Sequence, residues 1–346
     1  MYHLHFLCVS IQAYDMLMAE KKLYCGIDYC KLLCAVLIVF MHSVRGNSQF
    51  VFWVRDVFTT IAVPYFFIVS GFFLGKGFHH AGYDNVKEYI KRYFKRLFIL
   101  YTAWSILVIP VSLLCIVKRY PDSSVFFRVI YLIRMYFLSG SCGIYWYILA
   151  LLINCWLLYL LYIKKISEML LGIIGISSFV IGVMYNSHHF QDYFFFELIH
   201  IIFSSPNNFL HTGLLYMLIG YYFALREIRY NMIFLVMLFA MFVFVKSWEC
   251  KYSDFQFVQL LLAVVLFLIS AQMKKGNVKS SRWTRRLSMA LYLEHFPILL
   301  LIDYYYNLTT FSIVFPMMLM ICTLLYLLMR QCLPNIVFKI FYGENK

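Results

Sequence analysis

Apolar stretches long enough to cross a bilayer recur from one end of this 346-residue chain to the other, and no other feature constrains its fold as much. The hydrocarbon core of a bilayer takes about 20 helical residues to cross. Ten stretches meet that need, at roughly 27–45, 56–74, 97–117, 145–163, 169–185, 209–225, 232–248, 256–273, 287–306 and 313–333. Several are short or carry Gly and Pro, so their edges are set only to within about four residues. Nothing between them is polar enough to form a separate soluble domain. The expected fold is an all-α, polytopic integral membrane protein with about ten transmembrane helices.

Composition agrees. Residues are 63% hydrophobic and 20% aromatic, and 13% are charged, far from the balance of a soluble domain. Lys and Arg set the orientation. With the N-terminus in the cytoplasm, 22 of the 30 basic residues fall on the inner side and 8 on the outer, which predicts both termini inside. The net charge of +14 is then mostly this loop bias, and no nucleic-acid partner is expected. The 29 Tyr and 35 Phe are read mainly as core and interface anchors.

Residues 1–23 read as an N-terminal extension, with translation starting at Met16 or Met18 or a disordered leader as the alternatives. No basic region precedes a long apolar run there, which argues against a signal peptide. The transmembrane domain is expected over 24–335, with 336–346 as a cytoplasmic tail. Ten cysteines form no CxxC pair and no zinc spacing, and no metal site is expected. Cys142 and Cys250 both fall on the outer side, but a disulfide between them is disfavoured.

The first stretch carries the chemistry. Eleven steps from Lys31 to His42 make about three turns of helix, so both side chains point the same way. Asp28, one turn before Lys31, lies close to the same stripe. His42 stands about 16 Å along the axis from Lys31, inside the bilayer if the helix spans it. Ionisable groups at that depth face a protein interior or a watery cavity and are functional candidates. A lone His in an apolar helix is more often a hydrogen-bonded core residue; its alignment with Lys31 argues otherwise here. His42, Lys31 and Asp28 form the candidate catalytic set.

Six strings resemble landmarks of the membrane-bound acyltransferase 3 family: GIDYCKLLCAVLIVFMHS (26–43), VPYFFIVSGFFLG (63–75), YIKRYFKRLFILYTAW (89–104), YWYILALLINCWLL (145–158), GLLYMLIGYYF (213–223) and SMALYLEHFPILL (288–300). Each string alone is weak; all six in this order are a strong signal, and they cover 24 to about 335. The resemblance implies a ten-helix enzyme of the bacterial cytoplasmic (inner) membrane. It would move acyl groups, usually acetyl, from cytoplasmic acyl-CoA to carbohydrate hydroxyls of an envelope or exported glycan. Acetyl-CoA would be a co-substrate, with no permanently bound cofactor. The family's first-helix pattern is an Arg, ten residues, then a His. His42 matches and Lys31 replaces the Arg, keeping the charge but losing the planar fork. The family's Arg-x-x-Arg motif is met by Lys91, Arg92, Lys95 and Arg96 only with Lys in the second place; these four are the candidate acyl-CoA-binding residues. Arg92 and Arg96 share a face.

Those residue types suit the chemistry apart from the name. Clustered cations at the inner surface would hold the phosphates of acyl-CoA, although basic residues at 87–96 also suit a plain topology anchor. A hydroxyl attacking a thioester needs a base, and His titrates in the right range. Ser70, Arg134, Glu294, His295, Glu197 and His200 are candidate cavity-lining residues. Ser70 precedes Gly71 in a family string, and a mid-helix Gly permits close backbone approach. Glu294 and His295 lie just before Pro297, where a structural role, capping the carbonyls that Pro297 frees, is placed ahead of lining a cavity. Glu197 and His200 fall in the long loop 186–208, expected outside, where an acceptor surface or an aromatic plug would sit. Asp303 is expected to be solvated. The alternative function is a transporter or exporter of a glycan or small solute, which predicts inverted repeats, and none is evident.

Overall fold

The computed structural model describes residues 24–45, 48–186, 213–252, 257–273, 276–306 and 310–343. These residues are helical, with no strand among them. In order they are α1 (Cys25–Ser43), α2 (Gln49–Phe58), α3 (Ala62–Leu107), α4 (Ile109–Arg119), α5 (Val125–Arg134), α6 (Trp146–Ile163) and α7 (Glu168–Asn186). There follow α8 (Leu214–Ala224), α9 (Met232–Tyr252), α10 (Val258–Gln272), α11 (Val278–Tyr305), α12 (Phe311–Cys332) and α13 (Asn335–Tyr342). Among the described residues six helical stretches are long and apolar enough to cross a membrane, and three shorter helices are apolar. This is a multi-pass membrane protein.

Three expected stretches end up differently. The second and third belong to one bent element, α3, which reverses at Gly82 with φ 70 and ψ 173. Only glycine adopts that backbone without strain, so the arms 62–81 and 83–107 form a hairpin of two helices. The expected helix 97–117 breaks at Val108, two residues before Pro110, where the ring lacks a donor and favours a helix start. The ninth helix begins at Val278, well before 287, because Asn277 caps it through Lys279 N–H at 2.8 Å.

Lipid is as apolar as leucine, so close approach and polar ties hold such a bundle together. α3 and α8 supply the closest approach. A Cβ on Gly71 would run into the Met217 backbone, and one on Gly220 into the carbonyl of Ile68. Contacts from Phe67–Gly213 through Gly71–Met217 to Gly75–Ala224 advance together along both helices, so they run parallel. α1 and α11 are parallel as well. Asp28 meets Ser281, Lys31 meets Ser288, His42 meets His295 and Arg45 meets Asp303. The expected ten-span topology, with α1 as its first span and α11 as its ninth, calls for this parallel course.

Residues 336–343, read from sequence as part of a tail, are largely helical. α13 packs into the bundle, with Phe338 and Tyr342 buried against Tyr326 of α12. Cys142 and Cys250 are both free thiols.

Candidate active site between α1 and α11

α1 is an apolar helix with no side-chain cap at Tyr24. Its start is tied instead to the loop before α11, where Gly26 N–H donates to the Met273 carbonyl at 3.3 Å. Asp28 is buried in the first turn, where a carboxylate complements the positive end of the helix. It accepts the Ser281 hydroxyl at 2.5 Å, with Arg285 at 4.0 Å. Asp28 thus fastens α1 to the start of α11. It stands about 21 Å along the axis from His42, so the structure does not bring it to the imidazole.

Lys31 lies one turn on. Its ammonium sits 5.2 Å from the centre of the Phe73 ring on α3, and its carbonyl accepts from Ser288 at 3.0 Å.

His42 is half-buried near the other end of α1. Its ring centroid lies 5.4 Å from that of His295 and 4.8 Å from that of Phe296, both on α11. These ring contacts hold it, and among the described residues no hydrogen bond occupies its nitrogens. Arg45 closes the helix end. It donates to the His42 carbonyl at 2.9 Å and reaches Asp303 at 2.6 Å. Asp303, expected to be solvated, is partly exposed and paired with Arg45. The Arg45–Asp303 clamp was not anticipated, although both residues sit at the outer ends of expected spans.

His295 is fully buried. Its Nδ1 lies 2.6 Å from the Leu291 carbonyl. A carbonyl only accepts, so Nδ1 carries the proton and Nε2 is left as an acceptor. Nε2 is buried and no described group donates to it. Glu294, its neighbour, accepts the Tyr342 phenol on Oε1, while Oε2 is buried with no described partner. Pro297 frees the Leu293 carbonyl four residues earlier. The group that satisfies it is Tyr145, at 2.9 Å. Neither Glu294 nor His295 caps that carbonyl; their hydrogen bonds go to the Tyr342 phenol and to the Leu291 carbonyl.

The other candidates are dispersed. Ser70 pairs with the Tyr147 hydroxyl at 3.1 Å, and the Tyr147 ring lies 5.6 Å from Tyr292 on α11. Tyr292 in turn donates to the Ile144 carbonyl at 2.8 Å. Tyr145, Tyr147 and Tyr292 were hidden among the many tyrosines of the sequence, and no spacing marked them. Arg134 is half-buried at the carbonyl end of α5, where a cation is favourable. Lys91, Arg92, Lys95 and Arg96 are exposed on the 83–107 arm. Arg92 Nε donates to the Glu88 carbonyl at 3.2 Å, and Arg96 lies 5.4 Å from the Tyr93 ring centre. Glu197 and His200 lie outside the described residues.

One buried charge pair was also not anticipated. Lys246, fully buried on α9, meets Glu249 at 3.1 Å. The other Glu249 oxygen accepts from Phe257 N–H at 2.6 Å and Val258 N–H at 3.3 Å, at the start of α10.

Comparison with known proteins gives three findings. An amino-acid racemase of Enterococcus faecalis is 31% identical over 100 residues, which are 28% of this chain and 13% of that protein. The chain therefore spans about an eighth of that relative's length, and the relative's name carries no activity over. No solved structure matches the chain. A family model described as an acyltransferase domain matches residues 25–330, a range that takes in α1, the α3 hairpin and α11 together, and the chain belongs to the acyltransferase 3 family.

Proposed function

We propose that this acyltransferase moves an acetyl group from cytoplasmic acetyl-CoA to a carbohydrate hydroxyl of an envelope or exported glycan. In this reading it sits in a bacterial cytoplasmic membrane with ten spans and both ends of the chain inside. The observation that carries the reading is the imidazole of His42, half-buried, held by ring contacts, with no described hydrogen bond on its nitrogens and its ring centroid 5.4 Å from that of His295. Such a nitrogen is available to a substrate proton in a place where water is scarce.

The step balances without a further reactant. His42 takes the proton of the acceptor hydroxyl as its oxygen attacks the thioester carbonyl carbon. A C–O bond forms and the C–S bond breaks. The thiolate leaves and recovers the proton from His42, giving the acetyl ester and free CoA. Lys31 and the exposed cations at 91–96 would hold the anionic parts of the donor by charge-assisted hydrogen bonds.

The test is direct. Detergent-purified protein is given acetyl-CoA labelled in the acetyl group, with and without glycan acceptors, and release of CoA is followed. Acceptor-stimulated release supports the reading. Protein that binds no acetyl-CoA and releases none, while vesicles holding it take up glycan, would overturn it in favour of transport.

A further inference from the structure

The sharpest unexplained feature is the end of the chain. An isolated helix of eight residues is marginal in water, yet α13 turns back from Pro334 and is fastened at several points. Phe338 and Tyr342 are buried, Trp104 Nε1 donates to the Phe341 carbonyl at 2.7 Å, and the Tyr342 phenol donates to Glu294. The helix then stops at Gly343, with φ 67.

Its target is the weakest point of α11. Pro297 removes one backbone hydrogen bond there, so the turn 291–297 depends on lateral ties. Three phenols supply them from different elements. Tyr145 caps Leu293, Tyr292 itself reaches Ile144, and Tyr342 reaches Glu294. The residue that follows these three ties is His295, whose ring centroid lies 5.4 Å from that of His42.

We propose that Tyr342 is a positioning residue: from the C-terminal helix it clamps Glu294 and so fixes the turn of α11 that carries His295 against His42. Glu294 serves this clamp as a hydrogen-bond acceptor, not as an acid or base. The proposal rests on the reading of His42 as the base. A shift of about 1 Å in a reacting group can cost roughly a hundredfold in rate, so a loosened turn lowers kcat and leaves donor binding intact.

Three variants of the full chain, compared in detergent with wild type, test it. Tyr342→Phe keeps the ring and loses the donor; it should lower kcat about tenfold, with the KM for acetyl-CoA and the melting temperature unchanged. Glu294→Gln keeps an oxygen that accepts the phenol and should turn over like wild type, whereas Glu294→Leu should match Tyr342→Phe. Tryptic cleavage after Lys339, exposed on α13, should speed up in Tyr342→Phe and Glu294→Leu. Wild-type turnover in Tyr342→Phe overturns the proposal, as does an inactive, well-folded Glu294→Gln. A kcat loss that merely follows the folded fraction overturns it too. Failure of the function reading looks different: wild type then shows no transfer, while faster cleavage in Tyr342→Phe still reports the clamp.

Discussion

Lys246–Glu249 and His42–His295 both put titratable side chains into an apolar bundle, and they differ in what their polar atoms do. Lys246 reaches one oxygen of Glu249, and the other oxygen takes two N–H groups at the start of α10. Those are among the donors that a helix N-terminus leaves without intrahelical partners. The pair is a fastening between α9 and α10. At His42 and His295 the rings are fixed by packing and by one carbonyl, and Nε2 of His295 receives no described donor. Burying a polar atom without a partner costs stability, and a binding site is where such a cost is repaid by a ligand. Burial in the bundle marks both places; the state of the hydrogen bonds separates a strut from a site.

The largest expected effect breaks or upholds this contrast. His42→Ala should lower turnover by about 10²–10⁴-fold, with acetyl-CoA affinity and melting unchanged. Retained turnover in well-folded protein would remove His42 from the mechanism. Lys246→Met should do the reverse. Removing one partner of a buried pair costs about 3–5 kcal/mol, seen as a lower melting temperature and yield, with turnover per folded molecule preserved. If Lys246→Met instead loses activity without losing stability, the distinction between strut and site fails.

Smaller effects sharpen the donor side. The double change Arg92→Ala with Arg96→Ala should raise the KM for acetyl-CoA by about tenfold or more, the scale of one lost charged hydrogen bond. An unchanged KM would leave these cations as topology anchors. Lys31→Arg should have the least effect, retaining or raising activity, because the planar fork suits phosphate or carboxylate. A strong loss there, measured on the same preparations, would mean that the place above the Phe73 ring is shaped for an ammonium.

That Lys31 and His42 share one helix was legible because hydropathy and period are local, whereas the contacts of Lys31 with Phe73 and of His42 with His295 were not. Asp28 lies on the same helix, but its partner Ser281 stands 253 positions away and turns it into a fastening. The partner of Asp303 was hidden because Arg45 is 258 positions distant. The break at Val108 was visible in Pro110, yet the apolar run beyond it outweighed the proline in a reading by hydropathy.

By itself the sequence determined a helical membrane protein of this family, the helix that carries the imidazole, and the basic arm of the α3 hairpin. Each of these depends on residues within a few turns of one another, through hydropathy, period and charge. The tertiary structure alone decided which polar atoms are committed and which remain available. Tyr145 takes the carbonyl that Pro297 frees, Tyr342 takes Glu294, and His295 keeps an acceptor without a described partner. A hydrogen bond forms only where two groups come within about 3 Å in the right direction, and for groups far apart in sequence only the packed bundle sets that distance.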